Sequence, residues 1–209
     1  MNIVLLGIQG CGKGTLVSGL EKHLDLYLIS MGQLLRDEVA TGSELGKHIK
    51  EVQDRGELVD SKIVKDVLSK TLKTTTKPYT IFDGYPRNSQ QADELDSIAN
   101  VDLVIYLNLS KQDAIDRVMN RLNCTNCGLI TSKTMVDSDT CPSCGEKLVQ
   151  RSDDTIEGVT KRFELYEKET YPLIERYRSR GVLVEIDANN TPDERLNQVL
   201  KVINDYDKK

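Results

Sequence analysis

A glycine-rich loop with one lysine is the first segment whose residue types and spacing indicate chemistry. Residues 7–15 read G-I-Q-G-C-G-K-G-T, follow a short apolar run and precede a segment with helical spacing. Glycines let the backbone wrap closely around a phosphate, while the lysine and the positive end of the helix add charge. Thr15 stands where a dinucleotide-binding loop would have its third glycine, which disfavours that alternative. The loop therefore predicts a triphosphate site formed by Gly10, Cys11, Gly12, Lys13, Gly14 and Thr15.

Four of the five cysteines form a second group with chemical meaning. Cys124 and Cys127 form one C-x2-C pair, Cys141 and Cys144 form another after thirteen intervening residues, and a glycine follows each pair. This spacing predicts a structural Zn²⁺ site, because four thiolates complete a tetrahedral shell and leave no open position for catalysis. Iron in the same site is the open alternative. Disulfide pairing is disfavoured in a reducing compartment.

The charge and hydropathy of the chain exclude several classes of function. Zinc ribbons also bind nucleic acids, but residues 122–150 carry two lysines against three acids, and the whole chain has a net charge of −5. We therefore expect no nucleic-acid partner. No apolar run approaches the roughly 18 residues of a membrane span, and the N-terminal residues lack the pattern of a secretory signal. The expectation is a cytoplasmic protein without a membrane segment.

Short apolar runs must supply the strands that hold these groups. They lie at residues 3–6, 26–29, 79–82, 103–109 and 183–186. Helical spacing occurs at residues 13–23, 31–55 with a break near 41–43, 60–72, 89–98, 111–121 and 155–180, and a capped helix opens at Thr191. This alternation predicts an α/β fold, a three-layer P-loop sandwich around a five-stranded parallel sheet. Pro172 should kink or divide the long segment, and Gly181 can cap its end.

Further motifs resemble one enzyme family along the whole chain. Residues 30–36 (S-M-G-Q-L-L-R) are similar to S-T-G-D-x-L-R, residues 83–87 (D-G-Y-P-R) to D-G-[FY]-P-R, and residues 151–154 to R-x-D-D. Together with the G-K-G-T loop, they resemble the nucleoside monophosphate kinases and, among these, the long adenylate kinases with a four-cysteine zinc lid. The resemblance implies reversible transfer of the γ-phosphoryl group of MgATP to AMP, which gives two ADP.

The resemblance also implies roles for individual residues. The catalytic group would be Lys13, Arg87, Arg121, Arg151, Arg162 and Asp83, the last orienting water on Mg²⁺. Beyond the loop, ATP would contact Arg117, Arg121, Ile130, Thr131 and Asn190. AMP would contact Met31, Arg36, Glu57, Leu58, Val59, Gly84, Tyr85, Arg87, Gln91, Arg151 and Arg162. No general base is needed, because the acceptor phosphate is largely a dianion at neutral pH.

The same resemblance implies a division of the chain into three parts. Residues 1–29, 60–121 and 153–209 would form the core, residues 30–59 a mobile arm for the monophosphate, and residues 122–152 the zinc-binding lid. Closure of the arm and the lid would exclude water, which competes with the acceptor. The expected state is a monomer.

The chain departs from the family pattern at several positions, among them Gln9 and Leu16 in the loop, which replace Pro and Gln. Met31 stands where the family has Thr, Gln33 replaces an acid, and Thr131 replaces a Tyr that contacts the ATP base. These changes leave two alternatives open: a kinase for UMP, CMP or GMP, and a nucleotide-binding relative of low activity. Gln91 favours AMP, because an amide can both donate to and accept from the edge of adenine.

Overall fold

A parallel sheet forms the centre of the protein. The computed structural model describes residues 1–55, 57, 59, 60, 63, 65, 68, 72, 76–151 and 154–208. The central strands are β1 (Asn2–Leu6), β2 (Leu26–Ser30), β3 (Tyr79–Asp83), β4 (Leu103–Asn108) and β8 (Leu183–Asp187). They lie in the order β2-β3-β1-β4-β8, and every neighbouring pair is parallel. The five apolar runs of the sequence therefore form the predicted five-stranded parallel sheet.

Helices connect these strands. Their bounds are α1 (Lys13–Leu20), α2 (Met31–Ala40), α3 (Glu44–Asp54), α4 (Ser89–Ile98), α5 (Lys111–Met119), α6 (Ile156–Leu165), α7 (Pro172–Ser179) and α8 (Pro192–Tyr206). The Ser43 side chain caps α3, and Thr191 forms the predicted capping box with Glu194 at the start of α8. The predicted helix at 60–72 falls largely outside the described residues, although Ile63 and Leu68 are helical.

Two apolar layers cover the two faces of the sheet. Alternate residues of β1 point to opposite faces, so Ile3 and Leu5 join one buried cluster and Val4 joins the other. The first cluster takes its helical residues from α1, α5, α6 and α8, and the second takes them from α2, α3, α4 and α7. The result is the predicted three-layer sandwich, with the carboxyl ends of all five strands at one edge.

The long segment after residue 155 is divided, as Pro172 predicts. Helix α6 ends at Leu165, a π-helical turn occupies Tyr166–Thr170, and Pro172 begins α7. Proline has no N–H group, so the helical hydrogen-bond ladder cannot pass through it unchanged, and the N–H of Tyr171 bonds instead to the carbonyl of Tyr166. Gly181, with φ of +71°, follows the end of α7.

The cysteine-rich segment forms a small separate sheet. Its strands are β5 (Arg121–Cys124), β6 (Ile130–Ser132) and β7 (Leu148–Val149), and both β6 and β7 pair antiparallel with β5. The predicted helix at 111–121 ends earlier, at Met119, because the next residues turn into β5. Among the described helices, none is long and apolar enough to cross a bilayer.

Candidate active site at the carboxyl edge of the sheet

The glycine-rich loop joins the end of β1 to the start of α1. Gly10 and Gly12 have φ values of +85° and +97°, which favour glycine, and Gly12 is the residue that precedes α1. A Cβ atom on Gly12 would lie 2.2 Å from Nη1 of Arg195, so a larger residue does not fit there. The first N–H groups of a helix have no partner within the helix. Those of Lys13, Gly14 and Thr15 are therefore suited to bind an anion.

Lys13 lies across its own loop. Its Nζ donates to the carbonyl of Gly7 at 2.6 Å and to that of Ile8 at 3.2 Å, and it lies 3.4 Å from Sγ of Cys11. The ammonium group is thus held close to the loop backbone by neutral carbonyl groups. A phosphate is a stronger partner for an ammonium group than a neutral carbonyl is.

Strand β3 brings Asp83 beside this loop, and Arg87 follows four residues later. Asp83 is paired in register with Leu5, two residues before the loop begins. Nε of Arg87 donates to the carbonyl of Gly84 at 2.8 Å, and a Cβ on Gly84 would lie 3.0 Å from the guanidinium. Gly84 therefore provides the space in which Arg87 folds back.

The Arg87 guanidinium is part of a group of converging cations. Burial lowers its pKa first; Asp83 opposes this effect, while Arg162 and Arg36 add to it by repulsion. Arg36 and Arg162 thus lie close enough to Arg87 to repel it, and all three arginines are predicted to bind the acceptor. Such a concentration of positive charge is costly by itself and is favourable for an anionic ligand.

Gln91 is buried and already uses one of its polar atoms. Its Oε1 accepts from the backbone N–H of Arg87 at 2.8 Å. The Thr170 hydroxyl donates to the carbonyl of Arg87 at 2.7 Å. An amide oxygen has two lone pairs, so this contact leaves a second acceptor position on Gln91. Contact with a base through both the donor and the acceptor of this amide therefore stays a prediction.

Asp154 holds two of the predicted catalytic arginines. Nη2 of Arg121 donates to both carboxylate oxygens at 2.7 Å, and Nε of Arg121 lies 3.0 Å from Oδ2. Nη2 of Arg162 donates to Oδ1 at 3.1 Å. The Asp154 side chain is fully buried and both arginine side chains are 15% exposed, so the three groups form a largely desolvated cluster. One carboxylate thus fixes two guanidinium groups that come from different elements.

Other predicted residues lie near the same edge of the structure. Nε of Arg151 donates to Oδ1 of Asn123 at 3.2 Å. Arg117 donates to the carbonyl of Ala188 at 3.0 Å and to Oδ1 of Asn189 at 3.3 Å, which joins α5 to the loop after β8. Asn190 follows in that loop. Ile130 and Thr131 are neighbours in β6, and Ile130 is 37% exposed.

The predicted acceptor arm begins at the end of β2. Met31 is 2% exposed and packs in the second apolar cluster, and Val59 is also buried there. Gln33, which replaces an acid, accepts from Nη2 of Arg36 at 2.8 Å. Glu57 is exposed. Leu58, a predicted AMP contact, and Asp153, of the R-x-D-D motif, lie outside the described residues.

The four paired cysteines come together in the small sheet. Their sulfur atoms all lie within 4.8 Å of one another, with Cys124 and Cys144 at 3.4 Å and Cys127 and Cys141 at 3.6 Å. A tetrahedral zinc ion with bonds of about 2.3 Å requires separations of about 3.8 Å, so the cluster fits this ion. The backbone N–H of Cys127 lies 3.5 Å from Sγ of Cys124. Gly128 and Gly145 each have a positive φ, as the turn after each cysteine pair requires.

Comparisons with known proteins agree with this geometry. The family model described as adenylate kinase matches residues 5–182. An adenylate kinase of Caldanaerobacter subterraneus subsp. tengcongensis is 40% identical over 97% of this chain and 96% of its own length. The chain belongs to the adenylate kinase family. An adenylate kinase of Thermosipho africanus is 40% identical over 97% of this chain and 99% of its own length. One of Methanosarcina barkeri is 36% identical over 99% of this chain and 100% of its own length.

Family membership defines the activity. As an adenylate kinase the chain is an ATP:AMP phosphotransferase, and the alternative of another monophosphate as the main acceptor is not favoured. The fold predicted from the alternation of strands and helices is likewise the observed one. The individual site residues remain predictions, to which the contacts above add a physical basis.

Some residues of this site were not singled out in the sequence. The sequence indicates Asp154 only as the last residue of the R-x-D-D motif, and it does not indicate Asn123. Arg195 carried a usable signal, because it stands four residues before Val199 and eight before Ile203, on the buried stripe of α8. A charged residue on an apolar stripe indicates a specific partner.

Proposed function

We propose that residues 10–15 bind the phosphates of ATP and that the arginine cluster binds AMP and the transferring phosphoryl group. The observation that supports this most strongly is the Asp154 cluster, which presents Arg121 and Arg162 from two different elements. Two polyanions repel each other, so a site that joins them needs fixed cations in positions protected from water. Guanidinium groups suit this task because they are planar, permanently charged and able to form paired hydrogen bonds.

Each cation has one task in this proposal. Lys13 leaves its loop carbonyls and binds the β and γ phosphates of ATP. Arg36 and Arg87 hold the phosphate of AMP, and Gln33 keeps Arg36 in place through a hydrogen bond of 2.8 Å. Arg121, Arg151 and Arg162 stabilise the charge that spreads over the transferring group. The AMP oxygen attacks directly, since a dianionic phosphate has no proton to lose.

Two metal ions belong to the proposal. Mg²⁺ would lie near Asp83, whose carboxylate stands beside the loop in the sheet register, and it would neutralise charge on the ATP phosphates. Zn²⁺ would be held by Cys124, Cys127, Cys141 and Cys144, with a structural role because four thiolates leave no position for a substrate. Metal analysis of protein purified under reducing conditions should find about one zinc per chain.

The decisive experiment measures ADP formation from ATP with AMP, UMP, CMP and GMP as separate acceptors. AMP should give the highest kcat/KM, and Lys13→Ala should lower turnover by orders of magnitude through lost charge stabilisation. Equal rates with a second acceptor would reject AMP selectivity. A Lys13→Ala variant with normal turnover would reject the proposed ATP site.

The quaternary state and location complete the proposal. We infer a cytoplasmic monomer, in which free thiols remain reduced and available to the metal. Light scattering of the purified protein should give a mass near 23.5 kDa. A concentration-independent dimer would contradict this part alone.

A further inference from the structure

Arg195 is a buried cation behind the phosphate loop. It belongs to α8, is 6% exposed, and donates from Nη1 to the carbonyl of Cys11 at 2.8 Å, across 184 positions of sequence. Its Nε is buried and has no hydrogen-bond partner among the described residues. Within the residues that the structure describes, no carboxylate is among the groups that act on the Arg195 charge. Its positive charge is therefore not neutralised by an acid there.

The position of Arg195 is electrostatically unfavourable in the absence of an anion. It is the fourth residue of α8, so it lies near the positive end of that helix. Its guanidinium lies against Gly12, at the positive end of α1. Burial lowers the pKa of Arg195 first and repulsion by Arg117 lowers it further, while Cys11 opposes both effects. A group kept in such surroundings needs a compensating interaction, and the polyphosphate of ATP can provide one.

The hydrogen bond to Cys11 also fixes the direction of one peptide group. In a trans peptide the carbonyl and the following N–H point in opposite directions. Because the Cys11 carbonyl points toward Arg195, the N–H of Gly12 points away from it. The Gly12 N–H makes no backbone hydrogen bond to any described residue. One side chain thus sets the orientation of a loop N–H group and adds positive charge behind it.

We propose that Arg195 is a positioning residue of the ATP site, which holds the Cys11–Gly12 peptide in its phosphate-binding orientation and raises the affinity for the ATP phosphates. This inference rests on the proposed ATP site at residues 10–15. It applies to ATP and not to AMP, because the side-chain hydrogen bond of Arg195 is to the loop and, within the described part of the chain, no hydrogen bond joins Arg195 to the arginines of the acceptor site.

Three variants distinguish the effect of the Arg195 hydrogen bond, the effect of the Arg195 charge and the effect of removing any positive charge from the surface of α8. Arg195→Gln removes the charge and retains an amide donor, and Arg195→Lys retains the charge without the planar fork. Lys201→Gln removes one exposed charge from the same helix and is the matched control. For each variant, KM for ATP, KM for AMP, kcat and the melting temperature are measured, with inorganic tripolyphosphate as a competitive probe for the phosphate site.

Arg195→Gln should raise KM for ATP and the inhibition constant of tripolyphosphate by on the order of tenfold, the effect of one charge-assisted hydrogen bond. Arg195→Lys should recover part of this loss, and Lys201→Gln should change neither constant. KM for AMP should stay within about twofold of wild type in all three variants, since the acceptor contacts are intact.

Two results would overturn the proposal. One is an Arg195→Gln variant that melts at a lower temperature but keeps its ATP and tripolyphosphate constants, which would indicate a packing role only. The other is an equal change in Lys201→Gln. If Arg195→Gln unfolds at the assay temperature, the comparison of Arg195→Lys with wild type decides. Lys13→Ala in the same assay separates failure of this inference from failure of the proposed ATP site. If Lys13→Ala loses ATP binding while the Arg195 variants bind ATP normally, the role of Arg195 is rejected and the ATP site is retained.

Discussion

Gly14, the second residue of α1, lies under the side chain of Ile130 in β6, and a Cβ atom added to Gly14 would lie 3.1 Å from Cδ1 of Ile130. This contact joins the phosphate loop to the cysteine-rich sheet. A Cβ atom at this distance requires the Ile130 side chain to shift by a few tenths of an ångström, so a residue larger than glycine crowds this contact.

Gly14→Ala should weaken ATP binding while leaving the fold intact. Alanine favours the helix by up to about 1 kcal/mol over glycine, so the melting temperature should not fall. Overpacking against Ile130 costs on the order of 1 kcal/mol, and KM for ATP should rise about fivefold. Adding Ile130→Ala should relieve the crowding in the double variant. A rise in KM that Ile130→Ala does not relieve would place the crowding elsewhere.

Asp154→Asn should damage both catalysis and stability. The variant leaves Arg121 and Arg162 without the buried carboxylate that both contact at present. Loss of one partner of a buried ion cluster costs about 3–5 kcal/mol of folding free energy, and kcat should fall by about 100-fold as the guanidinium groups lose their positions. Denaturant unfolding and steady-state kinetics measure the two effects. Asp205→Asn, an exposed change in α8, is the control.

Met31→Thr should increase the preference for AMP over other monophosphates. The hydroxyl adds a hydrogen-bonding group at the position where the family has Thr, and the measurement is the ratio of kcat/KM values for AMP and GMP. Because Met31 is 2% exposed in an apolar cluster, the variant should also lose about 1–3 kcal/mol of stability. Met31→Leu keeps the apolar volume and should leave both quantities nearly unchanged. An unchanged ratio in Met31→Thr would show that position 31 does not contact the base.

Cys144→Ser should remove the metal and loosen the small sheet. One ligand of four is lost, so zinc content and melting temperature should fall together, whereas kcat at low temperature should change much less because the ion takes no part in the chemistry. KM for ATP should rise, since the segment lies between Arg121 and Arg151. Ser143→Ala is the neighbouring control. Wild-type protein that contains no metal and melts unchanged in a chelator would contradict the zinc site.

Tyr177→Phe should stabilise the protein, most of all at alkaline pH. The Tyr177 hydroxyl is buried and has no hydrogen-bond partner among the described residues. Burial, with help from Asp96, raises the pKa of Tyr177 to about 12. The protonated form is thus favoured in the fold, and its contribution is fully present below about pH 10 and is lost as the pH rises through about 12.

Removing this hydroxyl eliminates both the unpaired polar group and the alkaline loss. The free energy of unfolding should rise by about 1 kcal/mol at pH 7, and the difference from wild type should grow between about pH 10 and pH 12. Urea unfolding at several pH values measures this. Tyr171→Phe, at a residue that is 56% exposed, is the control and should show neither effect.

The residue order alone was enough for most of the fold and for the family. The phosphate loop, the D-G-Y-P-R motif and the cysteine pairs are local patterns, and each depends on backbone geometry or ligand spacing that a few neighbouring residues determine. The strands were also predictable, because buried parallel strands appear as short continuous apolar runs. Helices α1 and α5 end two to three residues earlier than predicted, because a turn follows α1 and strand β5 follows α5.

Only the tertiary structure decided which side chains of the site contact each other. Asp154 contacts Arg121 across 33 positions, Arg195 contacts Cys11 across 184, and Ile130 lies over Gly14. None of these pairs has a local signature, since the contacts arise from the packing of the helices and of the small sheet around the carboxyl edge of the central sheet. The sequence determined which groups can carry charge and where the chain turns. The tertiary structure decided which charges are buried together, because burial depends on elements that are distant along the chain.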